Sequence, residues 1–390
     1  MMLSVPKIWQ ITRAKDWRLS LVPFVIGCIY LWIGWFDIQL SGQSLLLFTL
    51  SFVTTMGFAA LGYFINEFFD IATDAKAGKS NTLSQLPGLY QASLFVFCMA
   101  LALLPWLFLP FDKLSLLLIG IEISLFLLYS LPFPRFKNIP LLSSVIDSGY
   151  AYLVPQVLTF YTYSLFGGKY EPQIIFLLAP AVFVIGLRNI TIHHVNDVFK
   201  DQRSKIITLP QSLGVKNTSY VLIGLMTAEI FLIMFWSVIM AAHQAIFWLW
   251  LVVYISAIIY RLRVLLTTSN LQYFTIEPIR HLTDPIYQYV FPAFTLGYIL
   301  MVDYRWSVLV PFHVFFLLPM PFLIKARDFF SSATVSLYYV FKRTIRQYII
   351  VPVGAAVNYG IYYLFLLFGV DLRKENISAM SYLKRKFQRG

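Results

Sequence analysis

The chain has 390 residues, of which 59% are hydrophobic and only 12% are charged, and its mean hydropathy is +0.73. Soluble domains carry about 25% charged residues, so this composition excludes an ordinary soluble fold and predicts a polytopic membrane protein. The net charge of +12 comes from 30 basic and 18 acidic residues. Most basic residues fall in short loops, where membrane topology and anionic lipid explain them, so we expect no nucleic-acid partner.

Hydrophobic runs long enough to cross a bilayer, about 17 to 25 residues, follow one another along the whole chain. They are 19–36, 45–65, 89–109, 114–131, 141–162, 173–192, 217–241, 244–260, 286–302, 306–324 and 347–369. In lipid each span must satisfy its backbone hydrogen bonds internally, and no run alternates as the strands of a barrel do. The sequence therefore predicts an all-α, polytopic membrane helix bundle.

Basic residues predict the orientation, because Lys and Arg are retained on the cytoplasmic side. If the basic segment before the first span is cytoplasmic, only Lys113, Lys169 and Arg305 face outward among the loop residues. The loops then predicted to be cytoplasmic are 75–85, 135–140 and 200–215. In a bacterium the membrane would be the inner one. A final span would export the basic C-terminal tail, so we expect 347–369 to be re-entrant or interfacial, unless another run is misassigned.

Two stretches at the ends of hydrophobic runs share one spacing of acidic residues. They are Asn66-Glu67-x-x-Asp70-x-x-x-Asp74 and His193-His194-x-x-Asp197-x-x-x-Asp201. On a helix, residues four apart lie on one face, with Cβ atoms about 5 to 6 Å apart. Two such faces brought together offer hard oxygen ligands, which suit Mg²⁺ that holds a substrate diphosphate.

Two further segments accompany these acidic motifs. They are Arg13-Ala14-Lys15-Asp16-Trp17 and Tyr129-Ser130-x-Pro132-x-Pro134-Arg135-x-Lys137. With the acidic motifs placed after the second and sixth spans, the set resembles the UbiA superfamily of intramembrane prenyltransferases over roughly residues 10–302. The resemblance implies a domain at 1–302 with about nine core transmembrane helices. It leaves 303–390 as an extension with one or two extra hydrophobic segments and a basic tail.

The resemblance implies Mg²⁺-dependent transfer of a polyprenyl group from an isoprenyl diphosphate to a lipophilic or amphipathic acceptor in the bilayer. The metal ligands it implies are Asn66, Glu67, Asp70, Asp74, Asp197 and Asp201, and the four Asp residues are also the catalytic ones. The residues expected to bind substrate are Lys79, Tyr129, Arg135, Lys137, Asp147 and Arg188. Arg135 can grip phosphate oxygens in a bidentate manner, whereas Lys137 and Lys79 act as point charges.

The chain departs from the family pattern at three places. Glu67 stands where the family usually has Asp, and His193 with His194 stand where it has Asn or Asp. The segment 80–83 replaces a common Arg-Pro-Leu, which removes a phosphate-binding Arg and leaves Lys76 and Lys79 as substitutes. Neutral imidazole is a poor Mg²⁺ ligand, so we expect the two His residues to pack or to line a pocket.

Four ionisable residues fall inside predicted spans. A charged side chain in the bilayer is energetically costly, so each of these residues is a candidate for a functional role. Arg188 lies just before the second motif, close enough to touch a diphosphate, and Asp147 is placed to line an acceptor pocket. The structural alternative is an ion pair between Asp147 and Arg188. Glu122 and Glu229 receive no role from the sequence.

Two other functions compete with prenyl transfer. A transporter would use the intramembrane acidic residues as a relay across the bilayer. An inactive relative would only bind prenyl lipid. If the two acidic motifs lie together at one cytoplasmic opening of an apolar cavity, the transferase is favoured. Ionisable residues along a path through the bilayer favour the transporter.

Overall fold

The computed structural model describes residues 11–14, 17, 21–76, 78, 80–133, 136–198, 207–268 and 282–317. Within these ranges the regular structure is entirely helical, which confirms the predicted all-α class. Segment 347–369 and the basic tail lie outside the described residues, so their predicted placement is untested.

The main helices in the described ranges are numbered α1 to α9 in chain order. They are α1 Val22–Trp35, α2 Gly42–Lys76, α3 Gly88–Leu103, α4 Lys113–Ser130, α5 (Pro140–Ser148, the π-helical turn Gly149–Leu153 and Val154–Gly167), α6 Pro172–Asn196, α7 Val215–His243, α8 Ile246–Thr268 and α9 Leu282–Val302. Six helices there, namely α2, α3 with the turn after it, α4, α6, α7 and α9, are long and apolar enough to cross a membrane. The protein is therefore an integral membrane helix bundle.

Local sequence sets where several of these helices begin and end. Asp112 caps α4, because its Oδ1 accepts hydrogen bonds from the backbone N–H groups of Leu114 and Ser115, both at 3.0 Å. Hydrogen bonds from the Tyr161 hydroxyl and these donors hold the pKa of Asp112 below its usual range. After α5, Gly168 adopts a left-handed conformation with φ 65°, which glycine reaches without a Cβ clash.

Close helix packing depends on a small residue in α2. A Cβ added at Gly57 would meet the backbone of Leu101 and Ala102 in α3 at 2.3–2.6 Å. Beside this contact the Thr54 hydroxyl donates to the Ala102 carbonyl at 2.5 Å. Small residues and interhelical hydroxyl bonds are the usual means of helix association in lipid, where the hydrophobic effect does not act between helices.

The end of the bundle away from the acidic motifs is closed by polar contacts, and we call it the opposite end. Asp303 follows α9 and accepts a hydrogen bond from the Leu40 backbone N–H at 2.8 Å, in the loop between α1 and α2. The Trp306 indole donates to the Ile38 carbonyl at 3.0 Å. Hydrogen bonds from Arg305 lower the pKa of Asp303 to about 2, so this carboxylate is ionised at neutral pH.

These contacts also show that residues 303–317, the start of the predicted C-terminal extension, pack on the bundle. Residues 318–390 lie outside the described part, and the extension as a separate segment stays a prediction.

Candidate active site

The first acidic motif lies on α2 itself, since that helix continues to Lys76. Asp70 and Asp74 are therefore helical neighbours on one face, as the spacing predicts. Asn81, in the loop after α2, donates its side-chain N–H to the Glu67 carbonyl at 2.9 Å and to Asp74 Oδ2 at 3.1 Å. This loop thus folds back onto the motif and orients the Asp74 carboxylate.

Lys137 joins the first motif to the loop after α4. Its Nζ lies 2.5 and 2.7 Å from the two carboxylate oxygens of Asp70 and 3.4 Å from Asn66 Oδ1. The Lys137 side chain is only 8% exposed, so this ion pair is largely desolvated. A predicted phosphate-binding cation therefore lies against a predicted metal-binding carboxylate.

The second motif straddles the end of α6. His193 and His194 are in the last turn, and Asp197 follows as the residue that caps the helix. The His193 imidazole Nε2 lies 3.5 Å from Asp197 Oδ2. His194 is buried, and its Nδ1 has no hydrogen-bond partner within the described ranges. Asp201, which completes the motif, lies outside the described residues.

The two motif helices open into one cavity of about 410 Å³. Asn66 of α2 and His193 of α6 both line it, together with the predicted residues Tyr129 and Asp147. From this motif end, which we define by Asn66, Tyr129 and His193, the cavity extends to Trp106 near the opposite end. The part away from the motifs is walled mainly by apolar and hydroxyl side chains.

Aromatic and polar groups meet on the cavity wall beside Tyr129. The Tyr150 hydroxyl donates to Asp147 Oδ2 at 2.5 Å. The Tyr150 ring also makes edge contacts with Tyr129 and Phe126, at centroid distances of 5.6 and 5.0 Å. These rings present π faces and edges to a hydrophobic ligand close to the acidic motifs.

The structure gives Arg188 different partners from those predicted. Its Nε lies 2.6 Å from Glu229 Oε2 on α7, and its Nη2 lies 2.7 Å from Asp284 Oδ1 on α9. The Arg188 and Glu229 side chains are fully buried. The predicted Asp147–Arg188 pair is wrong, because Asp147 bonds to Tyr150 instead. The placement argues for a helix-joining role for Arg188 in place of contact with diphosphate.

Several cavity residues were missed from the sequence. Asp284 was overlooked because the last core span was predicted to begin at 286, whereas α9 begins at Leu282. Asn189 lines the cavity and donates to the Tyr152 hydroxyl at 2.7 Å, and Glu122 lines it without an assigned role. Asn189 could have been found from the sequence, because it is a polar residue next to Arg188 inside an otherwise apolar span.

The site fits Mg²⁺ by the chemistry of its donors. Within the described ranges, which omit Asp201, no three carboxylate, imidazole or thiol side chains are close enough together to hold a metal ion. Mg²⁺ commonly takes only one or two protein carboxylates, with substrate phosphates and waters completing its shell. Asp70 and Asp74 supply such hard oxygens. Lys79 and Arg135, which were predicted to bind phosphate, lie outside the described residues.

The sequence profile of the UbiA prenyltransferase family matches residues 20–272, more than half of the chain. The chain belongs to this family. Membership confirms the family resemblance of the motifs, and it supports a prenyltransferase activity in general terms. A comparison with curated protein sequences gave no match.

Solved UbiA structures share the fold of this family member. A UbiA homolog from Archaeoglobus fulgidus bound to DMAPP and Mg²⁺ has a TM-score of 0.54 and 18% identity. The same homolog bound to GPP and Mg²⁺ has a TM-score of 0.51 and 20% identity. Each alignment covers 75% of this chain and 99% of the other. At such low identity the likeness shows the fold alone.

Proposed function

We propose that this protein transfers a prenyl group from a prenyl diphosphate to a lipophilic or amphipathic acceptor inside the membrane, with Mg²⁺ as the metal. The observation that carries the proposal is that both acidic motif helices line the same end of one long cavity, whose walls combine apolar, aromatic and polar side chains. Solved relatives bound to DMAPP or GPP with Mg²⁺ support a prenyl diphosphate as the donor.

The residues proposed to hold the metal are Asn66, Glu67, Asp70, Asp74, Asp197 and Asp201. When bound, Mg²⁺ would stabilise the charge that develops on the leaving diphosphate. Lys137 lies at the motif end in contact with Asp70. It is proposed to exchange this contact for a phosphate oxygen of the substrate, and Lys79 and Arg135 are proposed to bind the diphosphate with it. Charge-assisted hydrogen bonds of this kind are about twice as strong as neutral ones.

The cavity walls are proposed to act on the carbon part of the substrate. Departure of diphosphate leaves positive charge on the allylic carbon, and the Tyr129 and Tyr150 rings can stabilise it through their quadrupoles. Asp147, whose Oδ2 accepts a hydrogen bond from the Tyr150 hydroxyl, is proposed to orient an acceptor or to take its proton. The apolar and aromatic side chains of the wall are proposed to limit the access of water, which would otherwise add to the cation.

A transfer assay tests the proposal and the metal requirement together. Membranes containing the protein are incubated with tritiated prenyl diphosphates and a lipid extract as acceptor pool. We expect label to move into the lipid-extractable fraction with Mg²⁺, to stop with EDTA, and to resume when Mg²⁺ is restored. The control is membrane from cells that lack the protein.

Each result of this assay has a defined meaning. Transfer that is indifferent to EDTA would contradict the metal site. Saturable binding of diphosphate without transfer would favour the inactive lipid-binding relative. Two of the four ionisable residues in the predicted spans, Arg188 and Glu229, pair with each other and do not line the cavity, which argues against a continuous relay across the bilayer. Glu122, Asp147 and Asp284 do line the cavity.

We also propose that the motif end faces the cytoplasm, because the loops on that side carry most of the Lys and Arg residues. Ser80 is exposed at the motif end and Tyr304 at the opposite end, while both native cysteines, Cys28 and Cys98, are buried. In intact cells a membrane-impermeant maleimide should label Tyr304→Cys and spare Ser80→Cys until the membrane is permeabilised. Strong labelling of Ser80→Cys in intact cells would reverse the orientation.

A further inference from the structure

Glu122 is a buried carboxyl group that the proposed reaction does not use. It lies on α4, about 12 to 14 Å from either end of that helix at 1.5 Å per residue, and therefore close to the middle of the bilayer. Its side chain lines the cavity and the residue is only 2% exposed. Its Oε2 has no hydrogen-bond partner among the described residues.

Four threonine hydroxyl groups on the cavity wall do not satisfy this carboxyl group. Each donates its proton to a backbone carbonyl at 2.5–2.8 Å. These hydroxyls belong to Thr54, Thr55, Thr159 and Thr162. Glu122 thus lines the cavity while one of its carboxyl oxygens keeps unused hydrogen-bonding capacity, and a buried polar group without a partner costs free energy.

The surroundings of Glu122 indicate the charge state of the group it binds. Among the described residues that line the cavity, the permanently cationic side chain is Arg13, which lies at the motif end over the Tyr63 ring at 5.4 Å. An unpaired carboxylate at the centre of a bilayer is costly, so the neutral acid is the favoured form. A neutral acid donates a hydrogen bond, and its natural partner is a neutral oxygen acceptor.

We infer that Glu122 forms a polar subsite within the cavity, which binds a hydroxyl or carbonyl oxygen carried by an otherwise apolar chain. The inference rests on the proposed function, since it assumes that a prenyl diphosphate lies with its diphosphate at the motif end. Tyr129 lines the cavity at that end, and Glu122 is about 10 Å deeper along α4 at 1.5 Å per residue. The oxygen therefore belongs to the donor chain beyond its first isoprene unit or to the tail of the acceptor.

Binding of matched probes to the purified full-length protein tests the inference for the donor. The first pair is geranyl S-thiolodiphosphate and its 8-hydroxy derivative, which resist transfer and differ by one oxygen. We expect the wild type to bind the hydroxylated probe about fivefold more tightly, within the usual range for one neutral hydrogen bond. Glu122→Gln should keep this preference, because an amide both donates and accepts. Glu122→Leu should abolish or invert it.

A second pair tests the acceptor as the source of the oxygen. Dodecanol and dodecane are compared in the presence of saturating geranyl S-thiolodiphosphate, which occupies the donor position. A Glu122-dependent preference in this pair but not in the first assigns the subsite to the acceptor. A matched control is Ser124→Leu, on the same helix but exposed on its outer face, which should leave both preferences unchanged.

Failure of the inference is distinct from failure of the proposed function. If neither diphosphate probe binds, the proposed function fails. If both diphosphate probes bind but the wild type shows no preference for the oxygen-containing member of either pair, the proposed subsite is refuted. Glu122 would then form its hydrogen bonds with water in the cavity. An equal preference in the wild type and in Glu122→Leu also overturns it. Should Glu122→Leu fail to fold, Glu122→Met, an apolar replacement with an unbranched side chain, takes its place in both comparisons.

Discussion

Asp70→Asn is expected to lower the rate of prenyl transfer on the order of a hundredfold while leaving the protein folded and inserted. The Asp70 carboxylate is the hard anionic oxygen next to Lys137, and Asn supplies neither the charge nor equivalent metal affinity. The measurement is the initial rate with tritiated prenyl diphosphate at fixed Mg²⁺. Size-exclusion chromatography in detergent checks that the variant remains monodisperse.

The matched control for Asp70→Asn is Asp37→Asn at the opposite end of the bundle. Asp37 is exposed and has a positive φ of 53°, a conformation that Asn tolerates well. Its replacement should leave the rate unchanged. Asp197→Asn should resemble Asp70→Asn, because Asn66 of the first motif and His193 of the second line the same cavity end. Full activity in both Asp70→Asn and Asp197→Asn would remove the proposed two-motif metal site.

Arg188→Met is expected to destabilise the folded protein by about 3–5 kcal/mol, the usual cost of removing one partner from a buried ion pair. The change leaves Glu229 and Asp284 facing one another without a cation in the bundle interior. The measurement is thermal unfolding in detergent, followed by intrinsic Trp fluorescence, together with the yield of folded protein. We expect a clear fall in the midpoint temperature.

A triple variant separates this structural role from a catalytic one. Arg188→Met with Glu229→Gln and Asp284→Asn removes the uncompensated charge, so stability should partly recover. If Arg188 instead held the diphosphate directly, the single variant would lose activity with little change in midpoint temperature. In that case the triple variant would not regain stability relative to the single one.

The fold class and the shared helix face of Asp70 and Asp74 could be predicted from the sequence, because both depend on local patterns. Long apolar runs dictate helices in lipid, and the shared spacing of Asp70 with Asp74 marks a common helix face. The ends of helices were less predictable. The first motif was expected at the end of a span, but α2 carries it as part of a continuous helix.

The partners of buried charges could not be predicted, because they depend on how helices rotate and pack. Arg188 and Asp147 lie in adjacent predicted spans, yet Arg188 pairs with Glu229 and Asp284, far along the chain. Glu122 received no role for the same reason. Its significance rests on a cavity that α1, α2, α4, α5, α6 and α9 form together, and hydropathy cannot show which face of a wholly apolar helix borders that cavity.

The π-helical turn at Gly149–Leu153 in α5 makes the number of residues in this helix important for the cavity, independently of which residues they are. A π turn holds one more residue than an α turn, and each residue of an α-helix advances about 100° around the axis, at 3.6 residues per turn. Loss of a single residue there would rotate the rest of α5 by that angle relative to Asp147. Thr159 and Thr162 would leave the cavity wall, although no lining residue had been substituted. Evolution along this segment should therefore tolerate many replacements but hardly any insertion or deletion.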